Sequence, residues 1–102
     1  MRRVLSQRRA SETFELRFWN QSFTVSVGFY PDGTPGEVFI DSRKTGGDVE
    51  LIARDSAVVL SLAVQHGTPL EAIQRAVTRN DQGESQSIIG AIADRLTTRD
   101  AA

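Results

Sequence analysis

The spacing of apolar residues changes once along this chain of 102 residues, close to Ser42. Before that point they recur at every second position, and after it they recur at every third or fourth position. Alternation is typical of a strand with one buried face, whereas the wider spacing is typical of an amphipathic helix. The sequence therefore predicts an α+β fold, in which a sheet is followed by helices.

Two alternating runs fill the region between Thr13 and Phe29, separated by the polar stretch around Asn20-Gln21. If the turn centres on these two residues, every cross-strand pair on the apolar face joins two apolar side chains. The predicted pairs are Phe18 with Phe23, Leu16 with Val25, and Phe14 with Val27.

A second reversal is predicted at Pro31-Asp32-Gly33, because proline fixes φ and glycine accepts a positive φ. The third alternating run, from Glu37 to Asp41, can then pair with the second run. In that register Val38 faces Val27, and Ile40 faces Val25. We expect a three-stranded antiparallel meander.

A long helix is predicted from about Asp48 to Gln65, with Thr45 and Asp48 forming a capping box at its start. Its second half, Ala57 to Val64, is apolar on nearly all sides. Such a helix is expected to be buried against the sheet and against other helices or a partner chain. His66-Gly67 should end it, because glycine readily takes the left-handed conformation that follows a helix.

Two shorter helices should follow the long one. Thr68-Pro69-Leu70-Glu71 combines an N-cap threonine, a proline at the first helical position and a capping glutamate, so a helix is predicted from Pro69 to near Thr78. A last helix is predicted from about Ser85 to Leu96. We expect a basic flexible arm at 1–11, a single domain at 12–97 and a frayed tail at 98–102.

Composition excludes several kinds of chemistry. The chain has no cysteine and one histidine, His66, so disulfides, thiol chemistry and the common cysteine or multi-histidine zinc sites cannot form within it. It has neither the roughly 20 apolar residues of a membrane span nor the apolar stretch of a secretory signal. We expect a cytoplasmic protein that has no metal, no cofactor and no membrane partner.

Two basic segments are candidate anion-binding sites. Arg2, Arg3, Arg8 and Arg9 could contact a polyanion, although a solvated tail looks the same in sequence. The loop of Arg43, Lys44, Thr45, Gly46 and Gly47 precedes a helix, where exposed N–H groups attract anions. The loop lacks the residue order of a phosphate-binding P-loop, and the alternative is a tight connection that caps the helix.

Catalytic residues are not expected. Glu37 and Asp41 lie on one strand face, which is usually just the wet face of a sheet, and His66 reads as a helix-end residue. An enzyme built on these three residues is the weakest interpretation. Ser56 and Ser61 are expected to bond to the preceding helical turn rather than to act as nucleophiles.

Four segments of the chain together carry a family resemblance. They are Gly36-Glu37-Val38-Phe39-Ile40-Asp41, Lys44-Thr45-Gly46-Gly47-Asp48, Ala53-Arg54-Asp55-Ser56-Ala57 and Leu60-Ser61-Leu62-Ala63-Val64-Gln65-His66-Gly67-Thr68-Pro69-Leu70. These segments resemble the TSCPD domain, which is found at the C-terminus of adenosylcobalamin-dependent ribonucleotide reductases and in small stand-alone proteins. The resemblance covers roughly residues 23–96 and implies an α+β domain appended to nucleotide-reduction machinery.

The chain departs from the family at the motif that names it. The family carries Thr-Ser-Cys-Pro-Asp near its last helix, but the comparable region here, Asn80 to Ile89, contains no cysteine. No metal-binding or thiol role can therefore be carried over from the family, and the catalytic barrel of the reductases is also absent from a chain of this size.

These considerations predict a non-catalytic TSCPD-like module that acts through protein contacts, with a protein partner linked to nucleotide metabolism. The alternative is a nucleic-acid or nucleotide binder that uses the arginine arm and the Arg43-Lys44 loop. We also expect a homodimer, because the long helix has more apolar surface than two short helices can cover.

Overall fold

The structure is a computed structural model that describes residues 10–42 and 47–101. The elements are β1 (Ser11–Phe18), β2 (Gln21–Phe29), β3 (Pro35–Ser42), α1 (Asp48–Gln65), α2 (Leu70–Ala76) and α3 (Ile88–Ala101). The strands pair antiparallel in the order β1-β2-β3, which confirms the α+β meander.

The turn between β1 and β2 is tighter than the sequence predicted. Leu16 pairs with Phe23 and Phe14 with Val25, so the predicted register of Phe18 with Phe23, Leu16 with Val25 and Phe14 with Val27 is wrong by two residues. The reason is a two-residue turn at Trp19 and Asn20, both of which have positive φ, as a type I′ turn requires. A shift of two residues leaves every side chain on the same face of the sheet, so the predicted apolar face is correct although the predicted pairs are not.

The pairing of β2 with β3 confirms the sequence prediction. Val25 pairs with Ile40, and Val27 pairs with Val38. Asp32 Oδ1 accepts hydrogen bonds from the backbone N of Thr34 at 2.9 Å and from its hydroxyl at 2.6 Å, and Gly33 has φ +89°. The predicted reversal therefore lies at this turn.

One face of the sheet carries the core. α1 packs over β3, and α3 packs against β1 and α1, so both helices cover the same face. Arg95 of α3 also lies 4.4 Å above the ring of Phe14 in β1. The largest fully buried side chains are Phe23, Leu60, Ile88, Ile92, Leu96, Val25 and Val27.

α1 is less buried than its composition predicted. Ala53, Ala57 and Leu60 are its buried apolar residues, and they form a narrow strip that faces the sheet. The two alanines are small, so they allow the helix to lie close to β3. The predicted packing of α1 on the sheet and on another helix is confirmed, but α3 covers only one flank of α1 and no described element covers its outer face. Burial of that face against a partner chain stays a prediction.

α1 spans Asp48 to Gln65 as predicted, but its start is capped differently. The N-cap is Gly47 rather than Thr45, which lies outside the described residues, and no side chain caps the helix. Asp48 and Glu50 instead place negative charge in the first turn, which the helix dipole favours. At the other end, Gly67 has φ +96° and His66 is the C-cap, which confirms the predicted stop.

The two shorter helices begin later than predicted. Pro69 has ψ 140° and is the N-cap of α2, so Thr68 does not cap the helix, and α2 ends at Ala76 rather than near Thr78. α3 begins at Ile88 instead of Ser85, because the backbone of Gln86 bonds to Thr78 and Ser85 forms a bridge with Arg79. α3 continues to Ala101, beyond the predicted end near Leu96. Fraying of the last turn stays a prediction.

Candidate protein-interaction surface

α1 presents a row of large apolar side chains to solvent. They are 41% to 61% exposed, and we call them the α1 stripe. Leu51 and Val58 lie seven residues apart, as do Ile52 and Val59, which is the repeat that two packed helices use. Asp55 is exposed on the same side of the helix. The stripe consists of Leu51, Ile52, Val58, Val59 and Leu62.

The flank of α1 beside Val58 is fixed to the free edge of β3. Ser61 Oγ accepts a hydrogen bond from the Val38 backbone N at 2.8 Å, and it lies within bonding distance of two acceptors, Val38 O and Ala57 O. Gln65, which is buried, donates from Nε2 to Gly36 O at 2.7 Å. Because these bonds set the rotation of α1 about its axis, they also fix the stripe toward solvent.

The sequence predicted the contact of Ser61 with the preceding turn, and the bond to Ala57 O confirms it. The sequence reasoning missed the role of Ser61 and Gln65 at the edge of β3. Four residues along a helix span nearly the same distance as two residues along a strand. Ser61 and Gln65 on α1 are therefore spaced like Val38 and Gly36 on β3. Such a match becomes visible only once the helix is known to lie beside that edge.

An open apolar groove borders the stripe where α1 meets α3. Its volume is about 400 Å³. One wall comes from α3 through Ile89, which is half-buried, and the other wall comes from α1. The groove is lined by Leu51, Ile52, Asp55, Ser56, Val59 and Ile89.

Ion pairs border the N-terminal end of the stripe. Arg54 Nη2 lies 3.2 Å from Asp41 Oδ1, and Arg54 Nε lies 3.4 Å from Glu50 Oε1. The Arg54 side chain therefore joins α1 to β3 beside Val58. The outer surface of α1 thus carries apolar side chains with Asp55 among them, and the ion pairs of Arg54 border it on one flank.

The candidate anion-binding residues fall almost entirely outside the described part of the chain. The residues outside it are Arg2, Arg3, Arg8 and Arg9 of the first segment and Arg43, Lys44, Thr45 and Gly46 of the second. Gly47 is described, and its carbonyl accepts a hydrogen bond from the Leu51 backbone N at 3.2 Å. Both anion-binding segments stay predictions.

Asp41 and His66, two of the three residues of the enzyme interpretation, are not brought together, and the third residue, Glu37, lies on β3, where it pairs with Gly28. Asp41 is paired with Arg54, and His66 lies twelve residues after Arg54, beyond the end of α1. Twelve residues span about 18 Å along a helix axis, so Asp41 and His66 lie near opposite ends of α1. Across residues 10–42 and 47–101, no group of three histidine, aspartate or glutamate side chains could hold a metal ion. No helix within these ranges is long and apolar enough to cross a membrane.

The segment between α2 and α3 folds around two polar side chains. Asn80 Oδ1 accepts hydrogen bonds from the backbone N atoms of Gln82 and Glu84, at 3.0 Å and 2.9 Å, and Gly83 has φ +80°. The turn predicted at Asn80 to Gly83 is therefore confirmed. Asp94 of α3 accepts hydrogen bonds from Gln74 Nε2 at 2.8 Å and from Ser85 Oγ at 2.5 Å. Sequence reasoning missed this role of Asp94.

These features define a small α+β domain whose most distinctive surface is an uncovered helix face. A model of the TSCPD domain family matches residues 3–99, which is longer than the region of resemblance seen in the sequence. The chain belongs to the TSCPD domain family.

Three curated relatives are each named vitamin B12-dependent ribonucleotide reductase. The protein from Rhodopirellula baltica is 39% identical over 72 residues, which cover 71% of this chain and 7% of the relative. The protein from Agrobacterium fabrum is 32% identical over 76% of this chain, and the protein from Bradyrhizobium diazoefficiens is 31% identical over 76%.

The chain is therefore related to a small segment of these reductases, since it spans at most 7% of the length of these three relatives. This relation confirms the family resemblance drawn from the sequence. No solved structure matches the chain.

Proposed function

We propose that this chain is a non-catalytic TSCPD module that acts in the cytoplasm through protein–protein contacts made by the α1 stripe. The observation that carries the proposal is the exposure of the stripe. Leu51, Ile52, Val58 and Val59 each keep more than half of their surface in water. A cluster of large exposed apolar side chains often marks an interface.

The energetics favour a partner at this surface. Removing apolar surface from water contributes about 25 cal/mol per Å². The rotation of α1 is already fixed by Ser61 and Gln65, so little ordering of the helix backbone opposes binding. The groove beside Ile89 adds a concave site for a partner's side chain.

The relatives suggest where such a contact would matter. The reductases carry a segment related to this chain within a far longer polypeptide. We propose that the protein partner is linked to nucleotide metabolism, with a vitamin B12-dependent ribonucleotide reductase as the first candidate. The separation of Asp41 from His66 supports a role without catalysis.

Titration of the purified Rhodopirellula baltica reductase with this chain tests the proposal, with heat of binding as the readout. The variant Val59→Glu places a charge in the stripe, and Ala76→Glu places the same charge at an exposed position of α2. We expect saturable binding that is at least about 30-fold weaker for Val59→Glu, because a charge in an apolar interface is poorly tolerated. Ala76→Glu should bind like the unmodified chain.

Salt separates this function from the nucleic-acid alternative. Phosphate binding weakens steeply between about 50 and 200 mM salt, whereas an apolar interface does not. Binding of nucleic acid that follows this salt dependence and disappears when residues 1–9 are deleted would favour the alternative. Equal binding by Val59→Glu and the unmodified chain would contradict a contact through the stripe.

A further inference from the structure

We infer that β1 is a pairing edge at which two copies of this chain join their sheets, so that two β1 strands lie antiparallel across a two-fold axis at Leu16. This edge is separate from the α1 stripe, so the inference goes beyond the proposed function and does not rest on it. Three features of the sheet carry it. The backbone of β1 is open on one side, the other edge of the sheet is covered, and the side chains of β1 match those of a second β1.

The backbone of β1 is open on the side away from β2. The Phe29 backbone N donates to Ala10 O at 2.9 Å, so the polar backbone groups of Ala10 face β2. These groups alternate in direction along a strand, so those of every second residue point outward. The outward residues are Ser11, Thr13, Glu15 and Arg17. Within the described ranges 10–42 and 47–101 no strand lies beyond β1, and such an edge is a template for another strand.

The other edge of the sheet is covered. At β3 the outward backbone N of Val38 and the carbonyl of Gly36 bond to Ser61 and Gln65 of α1. Among the described residues, no hydrogen bond reaches the outward backbone groups of β1. β1 also lacks the proline, the lysine and the bulge that commonly prevent edge pairing, and it keeps one register with β2 over eight residues.

The side chains of β1 select the register. With the axis at Leu16, Glu15 of one copy lies opposite Arg17 of the other, and this ion pair occurs twice. The same two residues exchange four backbone hydrogen bonds between the copies. The two Glu15 side chains are diagonal neighbours about 7 Å apart along the strands, so each lies nearer to an arginine of the other copy. On the core-facing side Leu16 lies opposite Leu16 and Phe14 opposite Phe18, which removes more of the half-buried Leu16 and Phe18 from water.

Neighbouring registers fit less well. An axis at Glu15 or at Arg17 sets two identical charges directly opposite each other, which is unfavourable. An axis at Phe14 sets Glu12 opposite Leu16 on the core-facing side, where a charged group meets an apolar one. The axis at Leu16 therefore matches both charge and apolar character.

The first experiment exchanges the charges of the inferred pair. Sedimentation measures mass against concentration for the unmodified chain, Glu15→Arg, Arg17→Glu and the double variant. The unmodified chain should move from 11.2 kDa toward twice that mass as concentration rises. Each single variant sets two pairs of like charges opposite each other, so the Kd of its dimer should rise at least about tenfold. The double variant, and an equimolar mixture of the two single variants, restore both ion pairs and should recover the affinity.

Two further variants are controls for this experiment. Glu71→Arg makes the same charge change at an exposed position of α2 and should dimerise like the unmodified chain. Val59→Glu lies in the α1 stripe and should also leave the dimer unchanged. Circular dichroism at low concentration should show the same fold for every variant, because Glu15 and Arg17 are exposed.

The second experiment locates the contact without a substitution. Hydrogen exchange followed by NMR compares a concentration at which the chain is monomeric with one at which it is dimeric. The backbone amides of Glu15 and Arg17 point toward the other copy, so their exchange should slow at least about tenfold in the dimer. Ser11 lies beyond the paired segment, and its amide should exchange at the same rate in both samples.

Several outcomes would overturn the inference. A chain that stays monomeric at every concentration does so, as does a dimer in which the amides of Glu15 and Arg17 gain no protection. Added protection of Ser11 would place the axis at Phe14 and contradict the register. A dimer that Val59→Glu weakens and Glu15→Arg leaves unchanged would pair through the α1 stripe instead of β1.

Discussion

Arg79 holds Asp94 through two parallel hydrogen bonds, with Arg79 Nη2 2.5 Å from Asp94 Oδ1 and Nη1 3.2 Å from Oδ2. The same guanidinium donates to the carbonyl of Gly83 at 2.7 Å and to the carbonyl of Gln74 at 3.1 Å. Arg79 therefore joins the end of α2, the turn at Asn80 and the middle of α3. These bonds fix the segment between α2 and α3.

Loss of the Asp94 carboxylate should loosen this segment. Asp94→Ala leaves Arg79, Ser85 and Gln74 without their shared acceptor. We expect the free energy of unfolding to fall by about 1 to 2 kcal/mol, a modest value because the pair is partly exposed. The measurement is urea unfolding followed by circular dichroism. Asp81→Ala, at an exposed position of the same segment, is the control and should change stability little.

The same carboxylate should make stability depend on pH. The hydrogen bonds from Arg79 are the main cause that lowers the pKa of Asp94 from 3.8 to about 2, and those from Ser85 and Gln74 lower it further. A carboxyl whose pKa is lowered on folding stabilises the fold above its unfolded pKa. The contribution should therefore be complete above about pH 4 and should be lost as the pH falls through 2.

Asp94→Asn isolates this effect, because the amide cannot titrate. Between pH 4 and pH 2 the free energy of unfolding of the variant should fall less steeply than that of the unmodified chain. Parallel curves for the two proteins over this range would show that Asp94 has the same pKa in the folded and unfolded states.

Leu60 and Leu62 test which side of α1 is buried. Leu60 is 1% exposed and Leu62 is 41% exposed, although only one residue separates them. Leu60→Ala should lower the free energy of unfolding by about 2 to 5 kcal/mol, because it leaves a cavity in the core. Leu62→Ala should cost the monomer well under half of that. Thermal melting at a low protein concentration compares the two variants, and equal losses would contradict the observed rotation of α1.

The contrast between these two leucines also shows what apolar spacing can and cannot predict for α1. Spacing located α1 correctly from Asp48 to Gln65, because an apolar helix end followed by His66-Gly67 is a strong local signal. The pattern could not show which apolar residues stay exposed, because both faces of the second half are apolar. Burial there depends on how far α3 extends over α1, which is a tertiary property.

The β-hairpin between β1 and β2 shows a different limit. Alternation identified the faces of both strands, since a shift of two residues leaves them unchanged. It did not fix the register, because Trp19 and Asn20 lack the glycine that usually marks a two-residue turn.

The role of Asp94 could not be predicted from the sequence for a third reason. Its partners Gln74, Arg79 and Ser85 lie 9 to 20 residues away and share no motif with it.

Ser61 should protect the edge of β3 from solvent. Its hydroxyl accepts the hydrogen bond of the Val38 backbone N at 2.8 Å, which no neighbouring strand could accept because β3 is the last strand of the sheet. Ser61→Ala removes this acceptor, so the Val38 amide loses its partner and should exchange with solvent about tenfold faster or more. Hydrogen exchange followed by NMR measures this rate residue by residue. Ser56→Ala, one turn and a half earlier on α1, is the matched control and should leave the Val38 rate unchanged. An unaltered Val38 rate in Ser61→Ala would mean that this bond does not secure the edge of β3, and that Gln65 alone fixes the rotation of α1 and the outward direction of its stripe.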